Sequence, residues 1–377
     1  MNRARVRVVL AGAGHAHLQV LRRAGELRAA GVDLILVAPP TFHYSGLASA
    51  VLSGALPPGR AGLDVAALAA RFAVPYLPAE VTEVDRAARR LRLSDGQDLG
   101  YEAVSFNVGS ITQAPGKLGD DGAAWPVKPL ARLLALRGEV EAHIGGQGKS
   151  PGIVVAGGGP TGFEVAAALA GLLERNGVRP DLRLVHRSGL DWAPPRALAR
   201  LISALASRGV ALTEGEVSGR GPGTCVLSDG RTLPCDLLVL ATGLRAPPLI
   251  AALGLPLSRD GRLEVEPTLR TAADPAIFAV GDCAVIAGAP RPAAGIFGVR
   301  AAPTLAHNLA ALGTGSRMRA YAPQSRWLSI LDLGDGTGLA MRGRLWSLGR
   351  GALILKRRLD LGFIDGLRAT SGEVLED

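Results

Sequence analysis

The chain of 377 residues is poor in aromatic side chains, with phenylalanine, tryptophan and tyrosine together at 4%. Stacking platforms for single-stranded nucleic acid need such rings, so no nucleic-acid partner is expected. Only three cysteines occur, Cys225, Cys235 and Cys283, and none forms a C-x-x-C or zinc-like spacing. No metal site is therefore expected. No apolar run reaches the roughly 18–20 residues that cross a bilayer. The best stretch, Leu237 to Leu257, is broken by Arg245, Pro247, Pro248 and Pro256. Met1 to Arg7 leads straight into a strand pattern rather than a signal peptide. The expected location is cytoplasmic, free or peripheral on the inner face of the cytoplasmic membrane. Acidic residues are also in the minority, and the net charge is +9. A positive field suits phosphate-bearing cofactors, an anionic membrane surface or a solvated, arginine-biased exterior. Composition does not separate these three.

What the chain does contain is one glycine fingerprint written twice. Val8-Val9-Leu10-Ala11-Gly12-Ala13-Gly14-His15-Ala16-His17 is the first copy. Ile153-Val154-Val155-Ala156-Gly157-Gly158-Gly159-Pro160-Thr161-Gly162 is the second. Each follows an apolar strand pattern and opens a helical one, over His17 to Leu27 and Gly162 to Arg175. The next strands read as Val32 to Val37 and Leu182 to Val185. Each set is a βαβ unit, which implies a parallel sheet. The repeat continues through Leu93-Ser94-Asp95-Gly96 and Leu227-Ser228-Asp229-Gly230, and through Gly109 and Gly243, at a constant offset of 134. Asp-Gly between apolar runs signals a hairpin. One module therefore occurs twice: βαβ, hairpin, final strand, glycine turn.

The fold class expected is α/β, with two Rossmann-like domains, the second inserted in the first, and a small C-terminal α+β region. Residues 1–117 and 243–315 form the first domain, 118–242 the second and 316–377 the C-terminal region. The returning segment carries Gly281-Asp282 and a helix from about Pro303 to Leu312.

In such a loop the first glycine makes the turn, the second lets the backbone approach a pyrophosphate, and the third lets helix pack on strand. The helix N-terminus offers free N–H groups to the phosphates. The second copy has all three, Gly157, Gly159 and Gly162. The first has His17 in third place. A carboxylate usually ends the second strand and binds ribose hydroxyls, and both copies lack it. The first copy ends at Ala38-Pro39-Pro40. The second ends at His186-Arg187, which either faces a 2′-phosphate, favouring NADPH, or covers the sheet edge.

The order of GAGHAH, FNVGS, GGGPTGFE, ATG and FAVGD resembles the two-dinucleotide-binding-domain flavoproteins of the pyridine nucleotide–disulfide oxidoreductase superfamily. Within it the chain is similar to type II NADH dehydrogenases and sulfide:quinone oxidoreductases. It is closer to the NADH-dehydrogenase-like flavoproteins fused to selenide, water dikinase, through Gly14-His15-Ala16-His17-Leu18-Gln19-Val20-Leu21-Arg22 and Tyr44-Ser45-Gly46. The resemblance implies two cofactors, FAD and NAD(P)H. It places Gly12, Gly14, His15 and Ala16 at the FAD pyrophosphate, Val81 at the adenine and Asp282, after Gly281, at a hydroxyl of FAD. Ala38, Gly109 and Gly243 line the cofactor sites. Gly157, Gly159, Pro160, Thr161 and Gly162 hold the NAD(P)H pyrophosphate. Glu164 lies near nicotinamide and flavin, or else simply complements the helix dipole. Gly298 and Val299 lie at a helix N-terminus facing the flavin pyrimidine, which favours the anionic reduced flavin. Lys128 lies near the isoalloxazine or on the surface.

The expected activity is an FAD-dependent NAD(P)H dehydrogenase passing electrons to a quinone or similar small acceptor. A soluble protein or a selenium or sulfur species is the alternative acceptor, and a non-catalytic NAD(P)H-sensing flavoprotein is the alternative class. Relatives that use a redox disulfide carry C-x4-C near the first unit, which is missing here. A two-residue hairpin turn would pair Cys225 with Pro234 and point Cys235 to the opposite face, which disfavours a disulfide and sulfide:quinone chemistry. His43 and Tyr44 either shape the acceptor face or pack a loop. The basic stretch from Arg342 to Arg358, with its leucines and Trp346, either lies on a membrane surface or packs on its own domain or a second subunit in a homodimer.

Overall fold

The computed structural model describes residues 5–115, 118 and 124–368. Two five-stranded parallel sheets carry it. In the first the order is Ile277–Ala279, Ala103–Phe106, Val6–Ala11, Val32–Val37 and Tyr76–Leu77. The second runs Ala124–Pro126, Leu237–Leu240, Gly152–Ala156, Asp181–His186 and Val210–Glu214. The inner strands are continuous apolar runs because both faces of a parallel sheet are covered. Val8, Val9 and Leu10 are fully buried, as are Val154 and Val155. In both sheets the module's final strand lies beside its first, and the second strand lies on the other side. The strand order therefore reverses next to each glycine loop, and ligands of open α/β sheets bind at such a switch point.

The first sheet is completed by Ile277–Ala279, which pairs with Ala103–Phe106 after the chain has built the whole second sheet. The second module is thus an insertion in the first. The domain boundary expected at 117–118 falls among residues mostly outside the described ones.

Two helices differ from expectation. The segment His17 to Leu27 forms two pieces, α1 (His15–Leu21) and a short helix Ala24–Ala29, bent at Arg22 and Arg23. The second module's helix, α2 (Pro160–Arg175), begins with proline at its first position, where the missing N–H costs nothing. The helix expected from Pro303 is α3 (Gly295–Thr314), which begins eight residues earlier and holds Pro303 inside it. An internal proline removes one helical hydrogen bond. Burial of Phe297, Gly298, Ala301 and Ala302 against the first sheet outweighs that loss.

Each hairpin becomes a three-stranded antiparallel ribbon, and Leu93 and Leu227 close the two Asp-Gly turns by donating to Gln97 and Arg231. The expected register is off by one. Cys225 lies opposite Leu233, and Thr224 opposite Pro234. Leu233 and Cys235 are two apart and share a face, so both cysteines point into one buried cluster. They remain free thiols that share a hydrogen bond, which lowers Cys225 and raises Cys235.

The C-terminal region is a three-stranded meander, Ser329–Asp332, Gly338–Arg342 and Leu345–Gly349, followed by α4 (Arg350–Arg368). Leu331, Leu333 and Leu339 join the core of the second module, while Ile364 and Leu367 on α4 join the core of the first. A Cβ at Gly171 on α2 would lie 2.4 Å from the Gly334 carbonyl, so the meander rests directly on that helix.

Candidate functional site

The first glycine loop is organised by Asn107, which follows the strand Ala103–Phe106. Its Oδ1 accepts from the Ala16 and His17 amides at 3.1 and 3.3 Å, and its Nδ2 donates to the Val280 carbonyl at 2.8 Å. Its backbone carbonyl accepts from Gly14. A Cβ on Gly14 would come within 2.4 Å of the Asn107 side chain, and one on Gly12 within 2.6 Å of its carbonyl. Gly12, Gly14 and Gly281 are thus drawn around one residue, Gly12 against its backbone and the other two against its side chain. Ala16, expected at the pyrophosphate through its amide, is instead buried and held by Asn107. The Ala13 and His15 amides have no protein partner among the described residues, so the loop still offers free donors to a phosphate. Sequence reasoning missed Asn107, although FNVGS contains it.

His17 takes the third-glycine place without displacing the helix. Its Nδ1 donates to the Gly12 carbonyl at 2.6 Å, and its Nε2 accepts from Ser105 at 2.8 Å. In the second copy a Cβ at the same place, Gly162, would lie 1.8 Å from the Gly157 carbonyl. Where the second loop needs a glycine, the first uses an imidazole bonded to the same carbonyl. Burial lowers His17 to about 4.

His15 is half-buried and packs against the Phe42, Tyr44 and Phe363 rings. Burial and then the nearby Lys128 lower it to about 4. Lys128 Nζ stands 3.9 Å from Asp282, which accepts from Ser110 at 3.0 Å. A Cβ on Gly298 would lie 3.7 Å from both the Gly281 Cα and the His15 Cβ. The structure therefore assembles His15, Lys128, Asp282, Gly281 and Gly298 in one place. Gly298 and Val299 lie in the second turn of α3, so the helix start is at Gly295 rather than at these two residues. Ala38 is fully buried, with its carbonyl bonded by Tyr76, and Val81 starts the first ribbon. Gly109 has a left-handed φ of 71°, and a Cβ there would meet nothing within 4 Å.

The second loop opens on a cleft lined by Gly157, Gly159, Arg187, Glu216, Ala241 and Gly243, among others. A Cβ at Gly157 would lie 2.1 Å from the Ala241 carbonyl, whereas one at Gly159 would meet nothing within 4 Å. The loop is tight toward the sheet and open toward the cleft, as a bound pyrophosphate requires. Pro160 and Thr161 form the first turn of α2. His186 packs beside Gly158 and is not among the cleft-lining residues.

Glu164 lies where all three parts of the chain meet. It accepts from Ser49 Oγ at 3.0 Å and from the Asp332 amide at 2.9 Å. Lys356, on α4, lies 4.0 Å from Glu164 and 2.9 Å from Asp360, and donates to the Gly46 carbonyl. Asp360 also accepts from the Tyr44 hydroxyl at 2.9 Å. Burial raises the Glu164 carboxyl, and Lys356 only partly offsets it. Burial opposes the charge on Lys356, but Glu164 and Asp360 overcome it and raise the ammonium. Lys356 was missed in the sequence. Cys283 is buried and its thiol is pushed up to about 12. No cluster of metal-ligating side chains occurs among the described residues.

The chain is similar to known proteins in both sequence and fold. An NADH dehydrogenase-like protein of Mycobacterium tuberculosis is 31% identical over 296 residues, covering 74% of this chain and 72% of the relative. A demethylphylloquinone reductase of Synechocystis is 26% identical, covering 75% and 72%. The fold matches the sulfide:quinone oxidoreductase of Aquifex aeolicus with a TM-score of 0.81 at 16% identity, over 97% of this chain and 92% of that one. It matches NDH2 of Plasmodium falciparum, solved with NADH, with a TM-score of 0.80 at 15% identity, over 96% and 98%. The model of the pyridine nucleotide-disulphide oxidoreductase family matches residues 6–312, and the chain belongs to that family.

Proposed function

We propose that this protein is an FAD-dependent NAD(P)H dehydrogenase that passes electrons to a quinone or a similar small acceptor, without a redox disulfide. FAD occupies the site built on residues 1–117 and 243–315, and NAD(P)H the cleft of residues 118–242. The observation that carries this reading is the buried Glu164–Ser49–Lys356 cluster, which joins the second glycine-loop helix, the first module and α4. Two nucleotide sites meet there, and the relatives named for NADH and quinone chemistry share the chain's family.

A bound flavin would supply hydride-accepting chemistry beside the nicotinamide. The chain's own residues do the rest. Gly157 and Gly159 leave room for one pyrophosphate, and the Ala13 and His15 amides receive the other. Lys128 and the start of α3 put positive potential beside the Asp282 end of the flavin site, which favours an anionic reduced ring. His15, neutral at physiological pH, adds packing without charge. Burial raises the Glu164 carboxyl and Lys356 lowers it, so this pair sets the proton affinity of a carboxyl on the acceptor side. The aromatic cluster of Tyr44, Phe363 and His15 excludes water from that side.

No helix among the described residues is long and apolar enough to cross a membrane. A quinone in a bilayer is reached by α4, which exposes Ile354, Leu355 and Leu359 beside Arg358 and follows the exposed Leu345. An interfacial helix of that kind lies on a membrane surface. The deciding experiment is anaerobic: the purified yellow protein is mixed with NADH or NADPH, then with a soluble quinone. Bleaching followed by recovery supports the reading. A protein that takes up no FAD, or that neither nucleotide bleaches, contradicts it.

A further inference from the structure

The strand Asp181–His186 ends without the carboxylate that ordinarily receives a ribose 2′-hydroxyl. A different segment brings one to the same place. His186 lies opposite Glu214 in the parallel register, and the Gly215 amide donates to the His186 carbonyl at 2.9 Å. The chain then turns at Gly215, with φ 156°, and delivers Glu216 beside Arg187. Arg187 Nη2 and Glu216 Oε1 are 2.5 Å apart, and both side chains line the cleft that opens on Gly157 and Gly159. A dinucleotide whose pyrophosphate sits on that loop extends its adenine ribose toward the end of the second strand, which is where this pair stands.

From this geometry, and resting on the cleft being the pyridine nucleotide site, we infer that Glu216 replaces the missing ribose carboxylate and that the Arg187–Glu216 pair selects NADH against NADPH. Glu216 accepts the ribose 2′-hydroxyl, and Arg187 tethers the carboxylate in place. A 2′-phosphate brings ≈ −1.5 to −2 charges. It meets the Glu216 carboxylate at close range and finds the guanidinium already neutralised. Arg187 alone reads as an NADPH signal in the sequence; paired with Glu216 it has the opposite effect. The filter is a repulsive element as much as an attractive one, as specificity generally requires.

Both side chains are solvent-accessible, at 75% and 41%, so changing them leaves the fold intact. The FAD-loaded protein is titrated calorimetrically with ADP-ribose and with 2′-phospho-ADP-ribose. Wild type binds ADP-ribose at least about tenfold more tightly. Glu216→Gln narrows or reverses that ratio by at least about tenfold, and adding Arg187→Ala to Glu216→Gln abolishes the gain for the phosphorylated ligand. Tighter wild-type binding of the phosphorylated ligand, or an unchanged ratio in Glu216→Gln, overturns the inference. Binding of neither ligand overturns it together with the cofactor assignment of the cleft. The expected ratios in a protein that fails to reduce quinone leave the inference standing and sink the dehydrogenase reading alone.

Discussion

A Cβ at Gly281 would come within 2.5 Å of the Asn107 side-chain amide, so these two residues fit together only because position 281 has no side chain. Through that contact one asparagine ties the first glycine loop to the Gly281-Asp282 motif. Asn107→Ala strands two buried backbone amides and leaves the Val280 carbonyl only the weak Cys283 thiol as a donor. The expected cost is about 2–3 kcal/mol of stability and a marked loss of bound FAD. Visible absorbance after gel filtration and a thermal melt measure the two effects. Full FAD retention in Asn107→Ala would show that the loop does not depend on this side chain.

The buried imidazole of His17 makes the protein acid-sensitive. Its ordinary value is 6.5 and in the fold it is about 4, because burial penalises the charged ring. Between those values the unfolded chain binds a proton that the folded chain refuses. Stability is full above about pH 6.5 and is lost as pH falls toward 4, by about 3 kcal/mol for this one group. His17→Asn lowers stability at neutral pH but removes this slope. Melting temperatures taken across that window test the point, and parallel curves for wild type and variant would refute it.

The twofold module was legible because its signals are local. Apolar strand runs, glycine loops and Asp-Gly turns each lie within a few residues, and Val32 to Val37 forms the strand its pattern indicates. Asn107 was not legible because its role is tertiary: its equivalent in the second copy, at the offset of 134, is Ala241, whose backbone merely packs close against Gly157. Lys356 hid in a basic run that reads as a solvated face. The spacing of Ala352, Lys356, Asp360, Ile364 and Leu367 was the available signal, since it places the lysine on the inward stripe. The start of α3 was misread because proline is a local stop signal that packing overrode. The cysteine register failed because a three-residue loop, Ser228 to Gly230, joins Leu227 to Arg231 where a tight two-residue loop was expected.

Removing the charge from Lys356 exposes what it does for Glu164. In Lys356→Met the carboxyl loses its nearest cation and rises further. The protonation limb in the pH profile of flavin reoxidation by quinone moves to higher pH. Lys356→Arg keeps the limb near its wild-type position. Because Lys356 is also bonded to Asp360 and Gly46, the methionine variant loses several kcal/mol of stability, so the profile is measured on protein shown to be folded and flavin-loaded. An unmoved limb would mean that Glu164 and Lys356 do not act together.

The outward side of α4 decides whether the enzyme works at a membrane. Leu345, on the strand before α4, is 77% exposed and Ile354 67% exposed, and Leu355 and Leu359 are exposed with Ile354 on α4. Burying such side chains in an interface contributes about 1 kcal/mol each at partial depth. Replacing all four with serine should therefore lower partitioning to anionic vesicles by roughly two to three orders of magnitude. All four side chains are exposed while Lys356 is buried, so reduction of a water-soluble quinone stays at the wild-type rate while reduction of a bilayer-confined quinone falls. Flotation on anionic and on neutral vesicles separates the arginine contribution from the apolar one, because only the former is screened by salt. If wild type fails to float on anionic vesicles, or the serine variant floats as well as wild type, this face does not dock on lipid and the acceptor must reach the flavin from solution.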